Sequence, residues 1–140
     1  MRILALDVGE KTIGAAVSDE LLLTAQGVEV IRRMSPEADM ARIRELAEHF
    51  EATVIIVGLP KNMNGTIGPQ GEKVKAFASE LQNYLAGIEV RLWDERLSTV
   101  AAERSLIAAD VRRAKRRQVI DKMAAVFILQ GYLDSLSRKG

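Results

Sequence analysis

Acidic residues interrupt three apolar segments of this chain, and their type and placement suggest a site for divalent metal ions. Asp7 ends the apolar run from Ile3 to Leu6, an acidic pair at Asp94 and Glu95 ends a second apolar segment, and Asp121 interrupts a third. A carboxylate beside buried segments is costly to desolvate unless a cation or hydrogen bonds compensate it. Oxygen ligands favour Mg²⁺ or Mn²⁺ over zinc here, since cysteine is absent and there is one histidine.

Carboxylates that hold two such ions about 3.5–4 Å apart can support phosphodiester hydrolysis. The reaction needs an activated water, neutralised charge on the scissile phosphate and a stabilised leaving oxygen, and a pair of metal ions supplies all three. For Asp7 the alternative is a turn residue that caps the link to the next strand.

The acidic pair cannot be resolved by strand alternation. Asp94 shares a face with Leu92, whereas Glu95 shares the other face with Trp93, because successive side chains of a strand point to opposite sides. Only one of the two is expected to point at a metal, and the other is expected to pair with a nearby cation such as Arg96. Both could also be solvated residues at a strand-to-helix connection.

Asp121 interrupts the packing stripe of a predicted helix. Ala124, Ala125 and Ile128 follow it at the spacing of one helical face. An unpaired carboxylate on such a surface would cost several kcal/mol or stay protonated, so a cation is the expected partner. The alternative is an acid in the first turn of the helix, favoured by the helix dipole.

Positive charge is concentrated in one short segment, although the formal net charge is only +1. Its cations can neutralise phosphates and gain from counterion release; they are Arg112, Arg113, Lys115, Arg116 and Arg117. The segment precedes the predicted helix that carries Asp121, so it could position nucleic acid over the acids; the alternative is a solvated face. Lys11 and Arg96 are further candidate phosphate contacts, with a solvated turn residue and an ion pair to Asp94 or Glu103 as the respective alternatives.

Length and composition predict a single domain over residues 1–140. Hydrophobic residues make up 48% and charged residues 28% of the chain, as in ordinary globular proteins. No apolar stretch approaches the roughly 20 residues of a membrane span, and no signal peptide precedes the first strand. Together with the absence of cysteine, these features lead us to expect a cytoplasmic protein without membrane contact.

The elements that must position the acids follow the order β-β-β-α-β-α-β-α. Strands are predicted at Ile3–Leu6, Thr12–Ser18, Val28–Arg32, Thr53–Gly58 and Ile88–Trp93, and helices after Ser35, from Pro69, and at about Ser98–Ala109 and Gln118–Leu136. This order predicts an α/β fold with a five-stranded mixed sheet flanked by helices. The irregular segment Lys61–Gly71 is expected to border the functional face.

Four strings resemble the RuvX/YqgF family, which has a ribonuclease H-like fold and is described as Holliday-junction-resolvase-like or as pre-16S rRNA nucleases. The strings span nearly the whole chain in the expected order; they are residues Asp7–Gly14, Val57–Thr66, Asp94–Thr99 and Ile120–Ala125. One departure is Asn64, where the family often has Asp, so this position is a poor candidate for an essential metal ligand.

The resemblance implies a catalytic, metal-binding triad of Asp7, Glu95 and Asp121 with Mg²⁺ or Mn²⁺. It implies an endonuclease that hydrolyses phosphodiester bonds of structured nucleic acid, with 5′-end processing of pre-16S rRNA favoured. The alternatives are a Holliday junction resolvase acting on branched DNA and a nucleic-acid-binding module without catalysis. A phosphotransferase of the actin and sugar-kinase type would need two such domains. We expect a monomer or a weak homodimer.

Overall fold

A computed structural model describes residues 1–97 and 113–139, with side chains described for 1–97 and 123–137. These residues form one five-stranded mixed sheet of order β3-β2-β1-β4-β5 and three α-helices. The strands are β1 (Arg2–Val8), β2 (Thr12–Ser18), β3 (Ala25–Arg32), β4 (Ala52–Leu59) and β5 (Glu89–Asp94). The helices are α1 (Pro36–His49), α2 (Pro69–Tyr84) and α3 (Arg113–Lys139), and a single 3₁₀ turn at Glu95–Leu97 follows β5. The predicted five-stranded α/β fold is confirmed.

Four of the five strands run in the same direction. β2 is antiparallel to both β1 and β3, whereas β4 is parallel to β1 and to β5. The strands β1, β3, β4 and β5 therefore end at the same side of the sheet, at Val8, Arg32, Leu59 and Asp94. We call this side the carboxyl edge.

Helices cover both faces of the sheet, which explains why β1 is apolar on both sides. Leu4 and Leu6 pack in one core with α1 and α2, whereas Ile3 and Ala5 pack in a second core with α3. Strand alternation then assigns Asp7 to the face that α3 covers.

The starts of α1 and α2 agree with the sequence. Ser35 Oγ accepts a hydrogen bond from the backbone N–H of Ala38 at 3.1 Å, and Pro36 is the first residue of α1. Pro69 is the first residue of α2. The apolar residues that recur at helical spacing in α2 are buried, and so is Leu85, which caps the helix; they are Val74, Phe77, Ala78 and Leu81.

Two elements begin three or more residues earlier than predicted, and the other strand boundaries agree within two residues. β3 begins at Ala25 rather than Val28, because Ala25 and Gln26 still pair with the end of β2 across an irregularity in the ladder. α3 begins at Arg113 rather than Gln118. Arg, Lys, Ala and Gln are all good helix formers, so nothing in the basic run stops the helix.

The basic run therefore lies mostly inside α3 instead of preceding it. Arg112 and the predicted helix Ser98–Ala109 are outside the described residues. Although α3 has 27 residues, none of the helices in the described ranges is long and apolar enough to cross a membrane.

Candidate functional site

Asp7 lies near the end of the central strand with a glycine on each neighbouring strand. It pairs with Gly14 of β2, and it stands one residue beyond the pair that Leu6 makes with Val57, next to Gly58 of β4. Its exposed fraction is 8%. Neither glycine contributes a side chain beside this carboxylate, which leaves room on that face for groups from other elements.

Glu95 extends from the 3₁₀ turn back over β4. A Cβ atom added to Gly58 would lie 2.9 Å from Oε1 of Glu95 and would collide with Cδ1 of Ile128 in α3. The carboxylate of Glu95 therefore lies over Gly58, on the face that also carries Asp7. The backbones of β1 and β5 are two strand spacings apart, about 9.6 Å, and Glu95 spans part of that distance.

Asp94 makes a different set of contacts from Glu95. Its carboxylate accepts hydrogen bonds from the backbone N–H of Arg96 at 2.9 Å and from Nη2 of the same residue at 2.8 Å, and Lys61 Nζ lies 3.7 Å away. The Arg96 guanidinium, with help from its backbone N–H and from Lys61, holds the pKa of Asp94 below the ordinary value. The expected pairing of one member of the acidic pair with Arg96 is confirmed, and that member is Asp94.

Asp121 lies in α3, seven residues before Ile128. Seven residues are about two helical turns, or 10.5 Å along the axis. The side chain of Asp121 is outside the described part of the chain. Within residues 1–97 and 123–137 no three histidine or acidic side chains gather closely enough to hold a metal ion, and Asp121 does not belong to that set.

The predicted phosphate contacts occupy different environments. Lys11 is exposed in the turn between β1 and β2. Arg96 is engaged with Asp94, as its predicted structural alternative required. The cations within α3 lie in its first two turns, and their side chains are outside the described residues; they are Arg113, Lys115, Arg116 and Arg117.

Arg33 holds the turn that follows Asp7, a role that the sequence did not reveal. Its Nη1 donates to the carbonyl of Gly9 at 2.8 Å, and its backbone N–H donates to the carbonyl of Lys11 at 2.9 Å. One residue thus fixes both ends of the turn that connects β1 to β2.

Asp39 of α1 in turn fixes Arg33. This carboxylate is 3% exposed and accepts from Nε of Arg33 at 3.2 Å and from the backbone N–H of Met34 at 3.0 Å. The guanidinium carbon of Arg33 also lies 5.3 Å from the ring centroid of Phe77. The available signal was the position of Asp39 four residues before Ile43, on the apolar stripe of α1, where an acid needs a partner.

The order and directions of the strands, with helices on both faces, define a ribonuclease H-like fold of the RuvC type. Thermus thermophilus RuvC, solved in complex with a Holliday junction substrate, superposes with a TM-score of 0.61 at 13% identity, covering 98% of this chain and 96% of RuvC. The fowlpox virus Holliday junction resolvase gives a TM-score of 0.53 at 17% identity, covering 97% and 99%. At these identities the likeness concerns the fold.

The chain belongs to the RuvX family. The family model, described as "RuvX: Holliday junction resolvase", matches residues 1–135. A relative from Symbiobacterium thermophilum named "Putative pre-16S rRNA nuclease" is 62% identical over 135 residues, covering 96% of this chain and 93% of the relative. A relative of the same name from Clostridium beijerinckii is 54% identical over 139 residues, covering 99% and 100%.

Proposed function

We propose that this protein is a divalent-metal-dependent endonuclease that processes the 5′ end of pre-16S rRNA. The observation that carries the proposal is the pair of carboxylates at the carboxyl edge: Asp7 is nearly buried beside Gly58, and Glu95 lies over the same glycine. Relatives at 54% and 62% identity carry the corresponding name. The substrate is assigned from them.

The donor set fits magnesium or manganese. Asp7, Glu95 and Asp121 would supply hard carboxylate oxygens, which these ions prefer, and the chain has no cysteine. The bound ions would activate water and neutralise the scissile phosphate. Because Gly58 has no side chain, the carboxylate of Glu95 can lie over β4 on the face that carries Asp7, so that the two proposed ligands share one face. Lys11 and the cations from Arg112 to Arg117 would bind the flanking phosphates.

Cleavage assays with matched variants test the proposal. A labelled rRNA precursor and a synthetic four-way DNA junction are incubated with Mg²⁺, Mn²⁺ or EDTA. We expect metal-dependent cleavage of the precursor by the native protein and its loss in Asp7→Asn, Glu95→Gln and Asp121→Asn. Asp94→Asn is the matched control, because this neighbour is engaged by Arg96 and Lys61, and it should keep activity within a few-fold.

Other outcomes of these assays would reassign the proposed roles of the three acids. Full activity in Asp121→Asn would remove this residue from the proposed site. If Asp94→Asn loses activity and Glu95→Gln keeps it, Asp94 and not Glu95 is the metal ligand. Precursor cleavage by Asp7→Asn at the native rate, or by the native protein in EDTA, excludes the proposed metal chemistry. Native protein that binds the precursor but does not cleave it with Mg²⁺ or Mn²⁺ is a binding module.

Junction resolution is the second candidate, favoured by the description of the family model. Cutting two strands symmetrically normally requires a two-fold dimer. Symmetric nicks in the four-way junction, with a dimer in sedimentation at the assay concentration, would establish it. Three further expectations stay predictions: a monomer or weak homodimer, a single domain and a cytoplasmic location. Calorimetric titration with ATP tests the phosphotransferase alternative.

A further inference from the structure

One of the most exposed large apolar side chains of the described residues stands beside the candidate active site. Met63 is 99% exposed, and it belongs to the segment that connects β4 to α2 at the carboxyl edge. Leu97, which ends the 3₁₀ turn after β5, is 63% exposed at the same edge. Neither side chain contributes to the two cores of the fold, so both are available to contact a ligand at this edge.

The turn that carries Met63 is held by several hydrogen bonds. The backbone N–H of Asn62 donates to the carbonyl of Thr66 at 2.9 Å, and that of Gly65 donates to the carbonyl of Asn62 at 2.9 Å. Asn64 Oδ1 accepts from both the backbone N–H and the hydroxyl of Thr66, at 3.1 and 2.6 Å. Gly65 has a φ of +88°, a conformation that few side chains tolerate. Met63 is therefore presented on an ordered turn.

The turn is also connected to the acidic site. Arg96 follows Glu95 directly, its Nη1 lies 3.5 Å from the Met63 carbonyl, and its guanidinium packs over Gly65. The same guanidinium pairs with Asp94, which also has Lys61 within 3.7 Å. Lys61 and Arg96 thus lie at the turn that carries Met63, and Arg96 directly follows the proposed metal-binding residue Glu95.

We propose that Met63 packs against the face of an unstacked nucleobase adjacent to the scissile phosphate, which makes an unpaired nucleotide part of the substrate. This inference rests on the proposed function. An exposed apolar side chain gains free energy when it covers an apolar surface, and a nucleobase offers such a surface only when it leaves the stack. Lys61 and Arg96 both pair with the single carboxylate of Asp94, so the three side chains together carry one net positive charge that attracts the phosphates beside that base. A continuous duplex offers no free base face and cannot use this contact.

The test compares one cleavable sequence placed either in an unpaired loop or in a continuous duplex. The variants are Met63→Ala, Met63→Leu and the control Met34→Ala. Met34 is 87% exposed at the same edge, but it follows β3, four strand spacings or about 19 Å from β5. Because both methionines are exposed, the thermal unfolding midpoint should stay unchanged in all three variants. A 2-aminopurine placed next to the cleavage site reports base unstacking, in the catalytically silent Asp7→Asn background.

We expect Met63→Ala to lower kcat/KM on the loop substrate about tenfold. The duplex substrate should change less than twofold, and the 2-aminopurine signal should fall. Met63→Leu should restore most of the loss and Met34→Ala should behave as the native protein. Equal cleavage of both substrates by native protein and Met63→Ala, with an unchanged 2-aminopurine signal, overturns the inference and leaves the nuclease proposal intact. A native protein that neither binds nor cuts either substrate overturns both.

Discussion

At the scale of single residues, the candidate site depends on side chains that are not themselves proposed to bind metal or substrate. Arg33 binds the two ends of the turn after Asp7, and buried Asp39 orients the guanidinium that does so. The acid that would bind metal is thus held indirectly by a charged pair, of which Arg33 directly follows β3 and Asp39 lies in α1. Arg33 is a positioning residue in this arrangement.

Arg33→Lys should weaken the site more than the fold. Lysine keeps the charge but cannot donate to Asp39 and to the Gly9 carbonyl in the fixed geometry of a guanidinium. We expect a lower kcat, a several-fold weaker apparent affinity for Mn²⁺ and a loss of about 1 kcal/mol in the free energy of unfolding. Metal titrations of activity and calorimetric titrations with Mn²⁺ measure the first two, and urea unfolding measures the third.

Arg32→Lys is the matched control, because Arg32 is the exposed neighbour at the end of β3. It should leave both the metal titration and the unfolding curve unchanged. An Arg33→Lys variant with native Mn²⁺ affinity and native kcat would restrict the residue to a structural role.

Asp94 provides a prediction on pH. Its pKa is lowered in the folded protein from the value of 3.8 expected of an unperturbed Asp, so the folded state binds fewer protons than the unfolded state near and below that value. Its contribution to stability is present above about pH 3.8 and is lost as the pH falls through the lower folded pKa. Asp94→Asn should therefore be less stable at pH 7 by about 0.5 kcal/mol, with the difference shrinking in acid. Urea unfolding of both proteins between pH 7 and pH 2.5 measures this, and a difference that grows in acid contradicts it.

At the scale of elements, α3 and the turn after β5 meet over Gly58 of β4. Ile128 of the helix and the carboxylate of Glu95 both occupy the space that a side chain at position 58 would fill. Gly58 is therefore required by two neighbours at once, one from the core and one from the candidate site.

Gly58→Ala should disturb both neighbours. The added methyl group overpacks the interface with α3, which costs about 1–3 kcal/mol of unfolding free energy, and it displaces Glu95 from its place over β4. We expect a lower thermal midpoint together with a loss of nuclease activity. Gly68→Ala is the control, since its nearest contact would be an ordinary 3.7 Å from Asn62. Native activity in a folded Gly58→Ala protein would show that this placement of Glu95 is dispensable.

The early start of α3 determines how the cations of the basic run, which are proposed to bind phosphates, are spaced. A helix separates neighbouring cations by 1.5 Å along its axis and distributes them around its circumference. Arg116→Gln should weaken binding to RNA of any sequence and reduce the salt dependence of log K by about one phosphate contact. Filter binding at several salt concentrations measures the slope, with Lys75→Gln on the exposed side of α2 as the control. An unchanged slope would mean that Arg116 does not contact phosphate.

At the scale of the whole molecule, the sequence predicted the order of elements because apolar runs, caps and prolines are local signals. The buried strand before Asp7, the Ser35 cap of α1 and the proline start of α2 all appear as expected. Predicted boundaries without such a signal were wrong. At the start of α3, for example, no residue type distinguishes the first turn of the helix from the residues predicted to precede it.

The site was predictable only in part for a related reason. Acids that interrupt apolar segments stand out in a sequence, so Asp7 and Glu95 could be nominated and are brought to one face. The residues that hold these acids in place could not be predicted, because the contacts of Arg33 with Gly9 and of Gly58 with Ile128 join residues that are distant in sequence. Which residues meet across such distances depends on strand order, and the local pattern does not encode it.

The central position of β1 in the sheet affects how the candidate site responds to local unfolding. Fraying of a sheet starts at its outer strands, here β3 and β5, and must pass β2 or β4 before it reaches Asp7. Local opening therefore releases β5, which precedes Glu95, more easily than the Asp7 end of β1. If the two carboxylates bind metal as proposed, Glu95 is the ligand that can detach and return while Asp7 stays in place.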